Sequence, residues 1–160
     1  MAGSSSSAAV SPPPTSHRVF LNFRGADTRN NFICHLHAAL QRQNIDTFID
    51  NELPKGEGIS HELEREIEES MIYVVVFSED YASSRWCLDE LTKILDCKER
   101  YGRHVIIVFY NVDPSIVRYQ IKTYAEAFVK HEHRYKDKVD AWKAALTQAA
   151  GLLGYDSREI

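Results

Sequence analysis

Residues Met71 to Phe77 read MIYVVVF, and residues His104 to Tyr110 read HVIIVFY. Both runs are nearly continuous in apolar residues and rich in β-branched ones, which favour extended backbone. A strand with one wet face alternates polar and apolar positions. A strand without that alternation is buried on both faces, as in a parallel sheet covered by helices. Between the two runs, Cys87 to Arg100 places Cys87, Leu88, Leu91, Ile94 and Leu95 at helical spacing. Strand, helix and strand in that order read as a βαβ unit.

The same alternation extends outward. His17 to Phe23 (HRVFLNF) is β-branched and aromatic, and reads as the first strand. Asp27 to Gln43 is a helix with Phe32, Ile33, Leu36, Ala39 and Leu40 on one face. Ile45 to Ile49 is a short strand, and Asp50 to Gly58 (DNELPKGEG) is loop chemistry. Ile59 to Ser70 is the next helix, with Ser60 suited to cap it and Leu63 and Ile67 on its inner face. Downstream, Asn111 to Gln120 reads as a polar turn around Pro114. The last helix runs from Asp137 to Leu153, with Val139, Trp142, Leu146, Ala149 and Leu153 on one stripe. The pattern predicts an α/β fold: a doubly wound parallel sheet of four to five strands with helices on both faces. No internal repeat is visible.

Residues Met1 to Ser16 are Ser-, Ala- and Pro-rich, and read as a disordered leader because they bury too little apolar surface. Residues 17–157 form one domain and residues 158–160 a tail. The chain of 160 residues has 44% hydrophobic and 26% charged residues, ordinary for a globular domain. Its net charge of −4 argues against a general nucleic-acid binder. No apolar run approaches the roughly 20 residues that span a bilayer, and no secretory leader is visible. The three cysteines, Cys34, Cys87 and Cys97, have no framework spacing and read as reduced thiols in a cytosol-like compartment. The expected location is the cytoplasm, with the nucleus the other compartment open to such a chain. No metal site is expected. His131 and His133, with His104 elsewhere, are the nearest candidates, and residues two apart on a helix diverge.

In a doubly wound sheet, ligands bind beyond the C-terminal ends of the strands. That places Arg24 to Thr28, Asn51 to Gly58, Ser78 to Trp86 and Asn111 to Tyr119 around the crevice. Two acids lie on the helix that begins at Cys87. Asp89 lies nearly opposite the apolar stripe, in water, whereas Glu90 lies on its flank, about 100° from the centre. Glu90 is also one turn after Trp86, so both can face one space. On spacing alone, the simpler reading of Glu90 is a charge favoured by the positive helix N-terminus.

At these loops the chain resembles the TIR family (Toll/interleukin receptor/resistance protein) of the plant disease-resistance type. The matching pieces are FLNFRGADTR (Phe20 to Arg29), LPKGEGIS (Leu53 to Ser60), VVVFSEDYASSRWCLDEL (Val74 to Leu91), VFYNVDPSIVRYQ (Val108 to Gln120) and GYDS (Gly154 to Ser157). Several long motifs in fixed order are far more specific than any one alone. The resemblance implies a flavodoxin-like fold, homotypic TIR–TIR self-association, and hydrolysis of NAD⁺ or NADP⁺, a substrate rather than a cofactor. Relatives usually continue into nucleotide-binding and repeat regions. No Gly-x-x-x-x-Gly-Lys-Ser/Thr loop occurs in this sequence.

Trp86-Cys87-Leu88-Asp89-Glu90-Leu91 matches the family's catalytic motif, so the resemblance assigns catalysis to Glu90. The chemistry suits one acid: nicotinamide leaves as a neutral group, and the oxocarbenium-like ribose is what needs stabilising. Arg24 and Gly25 are candidate substrate-binding residues, an arginine fork beside a close backbone approach; a surface arginine and a turn glycine are the plain alternative. Trp86 suits stacking on a base, or core packing. Ser84 suits a ligand hydrogen bond, or a helix cap. Lys55 and Gly56 fall in the family's gating loop, and Lys55 stands where relatives often have arginine.

For self-association, Cys34 points about 160° from the first helix's stripe and His35 about 100°. An ordinary solvated helix face is the alternative. The family uses a Ser-His pair here, and the cysteine replaces a hydroxyl donor with an oxidisable thiol. Asn111, Ile116, Arg118 and Tyr119 belong to a segment resembling a second association surface, where Pro114 and Arg118 equally suit a turn. A non-enzymatic homotypic scaffold is the competing function. A phosphorylatable receiver shares the fold class but needs acidic Mg²⁺ ligands after the first and third strands. Here those strands end in Phe23-Arg24-Gly25 and Phe77-Ser78. A flavin role lacks a phosphate-cradling run after the first strand.

Overall fold

The computed structural model describes residues 14–15, 17–49 and 59–159. The expected leader lies, apart from the exposed Pro14 and Thr15, outside the described residues, as do Lys55 and Gly56. Strands β1 (His17–Phe23), β2 (Thr47–Ile49), β3 (Ser70–Phe77), β4 (His104–Phe109) and β5 (Gly154–Asp156) form one sheet in the order β2-β1-β3-β4-β5. Every pairing is parallel. The chain winds outward from β1 to β2, then returns to the other side of β1 with β3. That reversal opens a crevice beyond the C-terminal ends of β1 and β3.

The helical elements are α1 (Gly25–Thr28), α2 (Cys34–Arg42), α3 (His61–Glu68), α4 (Arg85–Tyr101), α5 (Pro114–Tyr119), α6 (Thr123–Arg134) and α7 (Lys136–Ala150). A π-helical turn, Arg29–Ile33, joins α1 to α2, so the expected first helix is one helical stretch with a bulge. Ser60 caps α3 by accepting the Leu63 N–H at 3.1 Å. Gly102, at φ 67°, ends α4 in the left-handed region that favours glycine.

The apolar runs work as alternating sets. Phe20, Tyr73, Val75, Phe77, Ile107 and Phe109 face one core with α3 to α7. Val19, Leu21, Phe23, Val74 and Val76 face the opposite core, with Ile33, Leu36 and Leu40 of the first helical stretch. The sheet therefore has helices on both faces, unequally distributed. β3 is buried almost throughout. β4 departs from the expectation of two buried faces: Ile106 is 37% exposed. Its outer face extends beyond the single helical stretch covering that side.

Three further differences lie in the C-terminal half. The expected turn at Asn111 to Gln120 contains α5, started by Asp113, whose carboxylate accepts the Ser115 N–H at 2.9 Å, with Pro114 in the first helical turn. α6 has no counterpart in the sequence reading, because two of its four buried residues are Ala127 and His131, which weaken the apolar stripe. α7 ends at Ala150, leaving Leu153, expected on its stripe, 83% exposed. Among the described residues, no helix is long and apolar enough to cross a membrane.

Asp113 also pairs with Arg158 at 3.2 Å, and Arg158 with Asp156 at 2.7 Å, tying the C-terminal turn to α5. Hydrogen bonds from the Ser115 hydroxyl and N–H, then from Arg158, pull the Asp113 carboxyl down to about 2. An unfolded aspartate titrates near 4. The depressed value contributes stability above pH ~4, and that contribution is lost as pH falls through about 2. We expect amide exchange at Ser115, whose N–H is held by the Asp113 carboxylate, to accelerate between pH ~4 and ~2 ahead of core amides, once corrected for intrinsic rates. Asp113→Asn should remove that selective response; an unchanged profile would disprove the assignment.

Candidate active site

The crevice is built from the segments after β1 and β3. After β1, Arg24 Nε reaches Asp80 Oδ2 at 3.4 Å, across a half-exposed pair. After β3 the chain makes a 3₁₀ turn, Tyr81–Ser83, and enters α4. Ser84 is the N-cap, accepting the Cys87 N–H at 3.2 Å. Of the two readings of Ser84, capping is therefore present, and the same residue also lines the crevice.

Glu90 is 4% exposed, on the buried side of α4 rather than its flank. The Asn22 side-chain amide donates to Glu90 Oε1 at 2.8 Å. The Tyr81 hydroxyl donates to Asn22 Oδ1 at 2.5 Å and lies 3.1 Å from the Cys87 carbonyl. Burial, and secondly the neighbouring Cys87 and Glu90, push the Tyr81 phenol well above its ordinary range, so it remains a donor. The Cys87 thiol donates to the Phe23 carbonyl at 3.3 Å. These contacts join the end of β1 to the first turns of α4.

Asp89 also differs from expectation. It is not in water: Trp142 Nε1 donates to Asp89 Oδ1 at 3.0 Å, and Lys138 Nζ lies 3.5 Å from Oδ2. The reason is α7, which packs along α4. With the sheet on one side and α7 on the other, the helix has no fully wet face at its first turns.

A cleft of about 330 Å³ lies between the start of α4 and the end of α6. Arg24, Ser83, Ser84, Arg85 and Trp86 form one wall, and Lys130, His131, Arg134 and Tyr135 the other. The Arg85 guanidinium sits 5.3 Å from the Trp86 ring and 4.9 Å from the Tyr135 ring. His131 is buried, with a ring nitrogen 2.8 Å from the Ala82 carbonyl and its ring edge-on to Trp142.

The structure thus brings together Arg24, Ser84 and Trp86 of the sequence candidates. Glu90 does not line this cleft; it sits one turn further along α4. Gly25 begins α1, half-buried. Cys34 and His35 are both exposed on α2. In the second association segment, Asn111 is exposed, its N–H bonded to Ser157 Oγ at 3.0 Å, and Tyr119 is 64% exposed. Ile116 instead packs against the larger core. Arg118 Nη2 donates to the Ala150 carbonyl at 3.0 Å, a contact at the C-terminus of α7. Sequence reading missed Asn22, Tyr81, Arg85 and the α6 residues. Asn22 carried one available signal: a polar residue inside an apolar strand requires a partner.

A sequence profile described as the TIR domain matches residues 16–160. The chain is 53% identical over 154 residues to disease resistance protein RPV1 of Vitis rotundifolia, covering 96% of this chain and 11% of that protein. It is 50% identical over 158 residues to TMV resistance protein N of Nicotiana glutinosa, covering 96% of this chain and 13% of that one. The chain thus spans about an eighth of the length of such relatives. Among solved structures it resembles the TIR domains in the activated Roq1 resistosome directly recognizing the pathogen effector XopQ. That match has a TM-score of 0.82 and 49% identity, over 89% of each chain.

The Tyr81–Asn22–Glu90 contacts are buried, so removing one member strands another. Asn22→Ala should cost about 2–3 kcal/mol and Tyr81→Phe about 1–2 kcal/mol, by urea denaturation. A Tyr81→Phe protein as stable as the parent would show that the hydroxyl supports nothing.

Proposed function

The chain belongs to the TIR domain family, and on that premise we propose that it is a plant immune-signalling module that self-associates and hydrolyses NAD⁺ or NADP⁺. The observation that carries the reading is the placement of Glu90. Its carboxylate is oriented by the Asn22 amide at 2.8 Å, one helical turn beyond Trp86 in the wall of the cationic cleft.

In the proposed reaction the dinucleotide lies from that cleft toward Glu90. The bond between ribose C1′ and the nicotinamide nitrogen breaks, and its electron pair goes to the nitrogen, releasing neutral nicotinamide. No acid is needed to protonate the leaving group. The Glu90 carboxylate stabilises the positive charge growing on C1′ and the ring oxygen. Water then adds to C1′, its proton passing through Glu90 to solvent, and an ADP-ribose product leaves. Arg24 holds phosphate and Trp86 offers a ring face. Asn22 and Tyr81 are positioning residues, acting through Glu90.

Self-association is proposed through α2, where Cys34 and His35 are exposed, and through the Asn111 and Tyr119 surface. Support comes from the Roq1 TIR domains, which lie in an activated resistosome. Three free thiols suit a reducing compartment, the cytoplasm or nucleus.

Concentrated protein incubated with NAD⁺ or NADP⁺ should release nicotinamide, detected by chromatography, and Glu90→Ala should lower the rate at least ~100-fold. Assembly without nicotinamide release would leave the scaffold reading standing. His35→Glu should weaken self-association in sedimentation runs; a mass independent of concentration in the parent protein would exclude the α2 interface.

A further inference from the structure

The cleft between α4 and α6 has more positive charge than a dinucleotide diphosphate requires. Among the described residues that line it, four are Arg or Lys and none is acidic, although the chain as a whole is at −4. Arg24 is offset by Asp80 at 3.4 Å. Lys130 and Arg134, one turn apart at the end of α6, have no acidic partner among the described residues. Arg85 is held between the Trp86 and Tyr135 rings, at 5.3 and 4.9 Å. Stacking on two rings restricts the plane of its guanidinium. The Ser84 oxygen accepts the Cys87 N–H, and its own hydroxyl hydrogen remains to donate into the cleft.

We infer that this cleft selects a nucleotide bearing a phosphate monoester, so that the 2′-phosphorylated dinucleotide NADP⁺ binds in preference to NAD⁺. The inference rests on the dinucleotide reading of the site, and adds the α6 cations as the source of preference. Each diphosphate phosphorus in NAD⁺ bears a single charge. A phosphate monoester is close to a dianion at neutral pH and offers three acceptor oxygens. Lys130 and Arg134 have nothing to bind in the unphosphorylated ligand. In NADP⁺ they meet a group able to accept from both.

Calorimetric titration of the Glu90→Gln protein separates binding from turnover. NADP⁺ should bind about tenfold tighter than NAD⁺ at equal ionic strength. In Lys130→Ala/Arg134→Ala on the same background the ratio should fall toward one, with circular dichroism reporting intact helix. The charge-preserving pair Lys130→Arg/Arg134→Lys should keep the preference. Equal affinities in the parent, an unaltered ratio in the alanine pair, or no binding of either nucleotide at millimolar concentration would overturn the inference. Nicotinamide release by the Glu90 protein distinguishes the two readings. Selective NADP⁺ binding without release sinks hydrolysis and upholds the phosphate site. Release from both nucleotides with equal kcat/KM sinks the phosphate site and upholds hydrolysis.

Discussion

A carboxylate that is 4% exposed must be compensated by hydrogen bonds, because desolvating an ion costs several kcal/mol. For Glu90 one donor is the Asn22 amide, which is itself polarised by the Tyr81 hydroxyl. This requirement couples three segments far apart in sequence: the end of β1, the turn after β3 and the first turns of α4. The capping of α4 by Ser84 and the Cys87 thiol contact to Phe23 act on the same junction. The crevice is therefore framed by backbone that has little freedom to shift.

Around that junction, the charges are segregated by helix packing. α7 covers the far side of α4 and neutralises Asp89 with Lys138 and the Trp142 N–H. One of the two adjacent acids is thereby absorbed into the scaffold. The other is turned toward β1. Adjacent residues on a helix point about 100° apart, so a helix packed on two sides gives them unrelated environments. The cations of α6 face those of the α4 start across the cleft, and Arg85 packs on two aromatic rings.

The unequal faces of the sheet bear on association. Helices α3 to α7 build the larger core, and one helical stretch covers the other face. That stretch turns Cys34 and His35 outward while Leu36 and Leu40 hold it to the sheet. Ile116, by contrast, is held to the core and Arg118 closes the C-terminus of α7. In that segment, Asn111 and Tyr119 are exposed.

The amino-acid sequence by itself determined the parallel sheet, since unbroken apolar strands alternating with helical stripes admit few other arrangements. It also determined the cap at Ser60 and the outward face of α2, whereas Glu90 was singled out only by resemblance to a family motif. These are local properties, set by periodicity and by the chemistry of neighbouring residues. Tertiary structure alone decided that Asp89 is covered, that Glu90 is turned inward onto Asn22, and that α6 supplies most of one wall of the cleft. Each of those depends on contacts between residues 49 to 68 positions apart, whose pairing no local pattern encodes. α6 shows the reason most directly: its buried side includes Ala127 and His131, which read as weakly apolar until Trp142 and the Ala82 carbonyl are brought against the histidine.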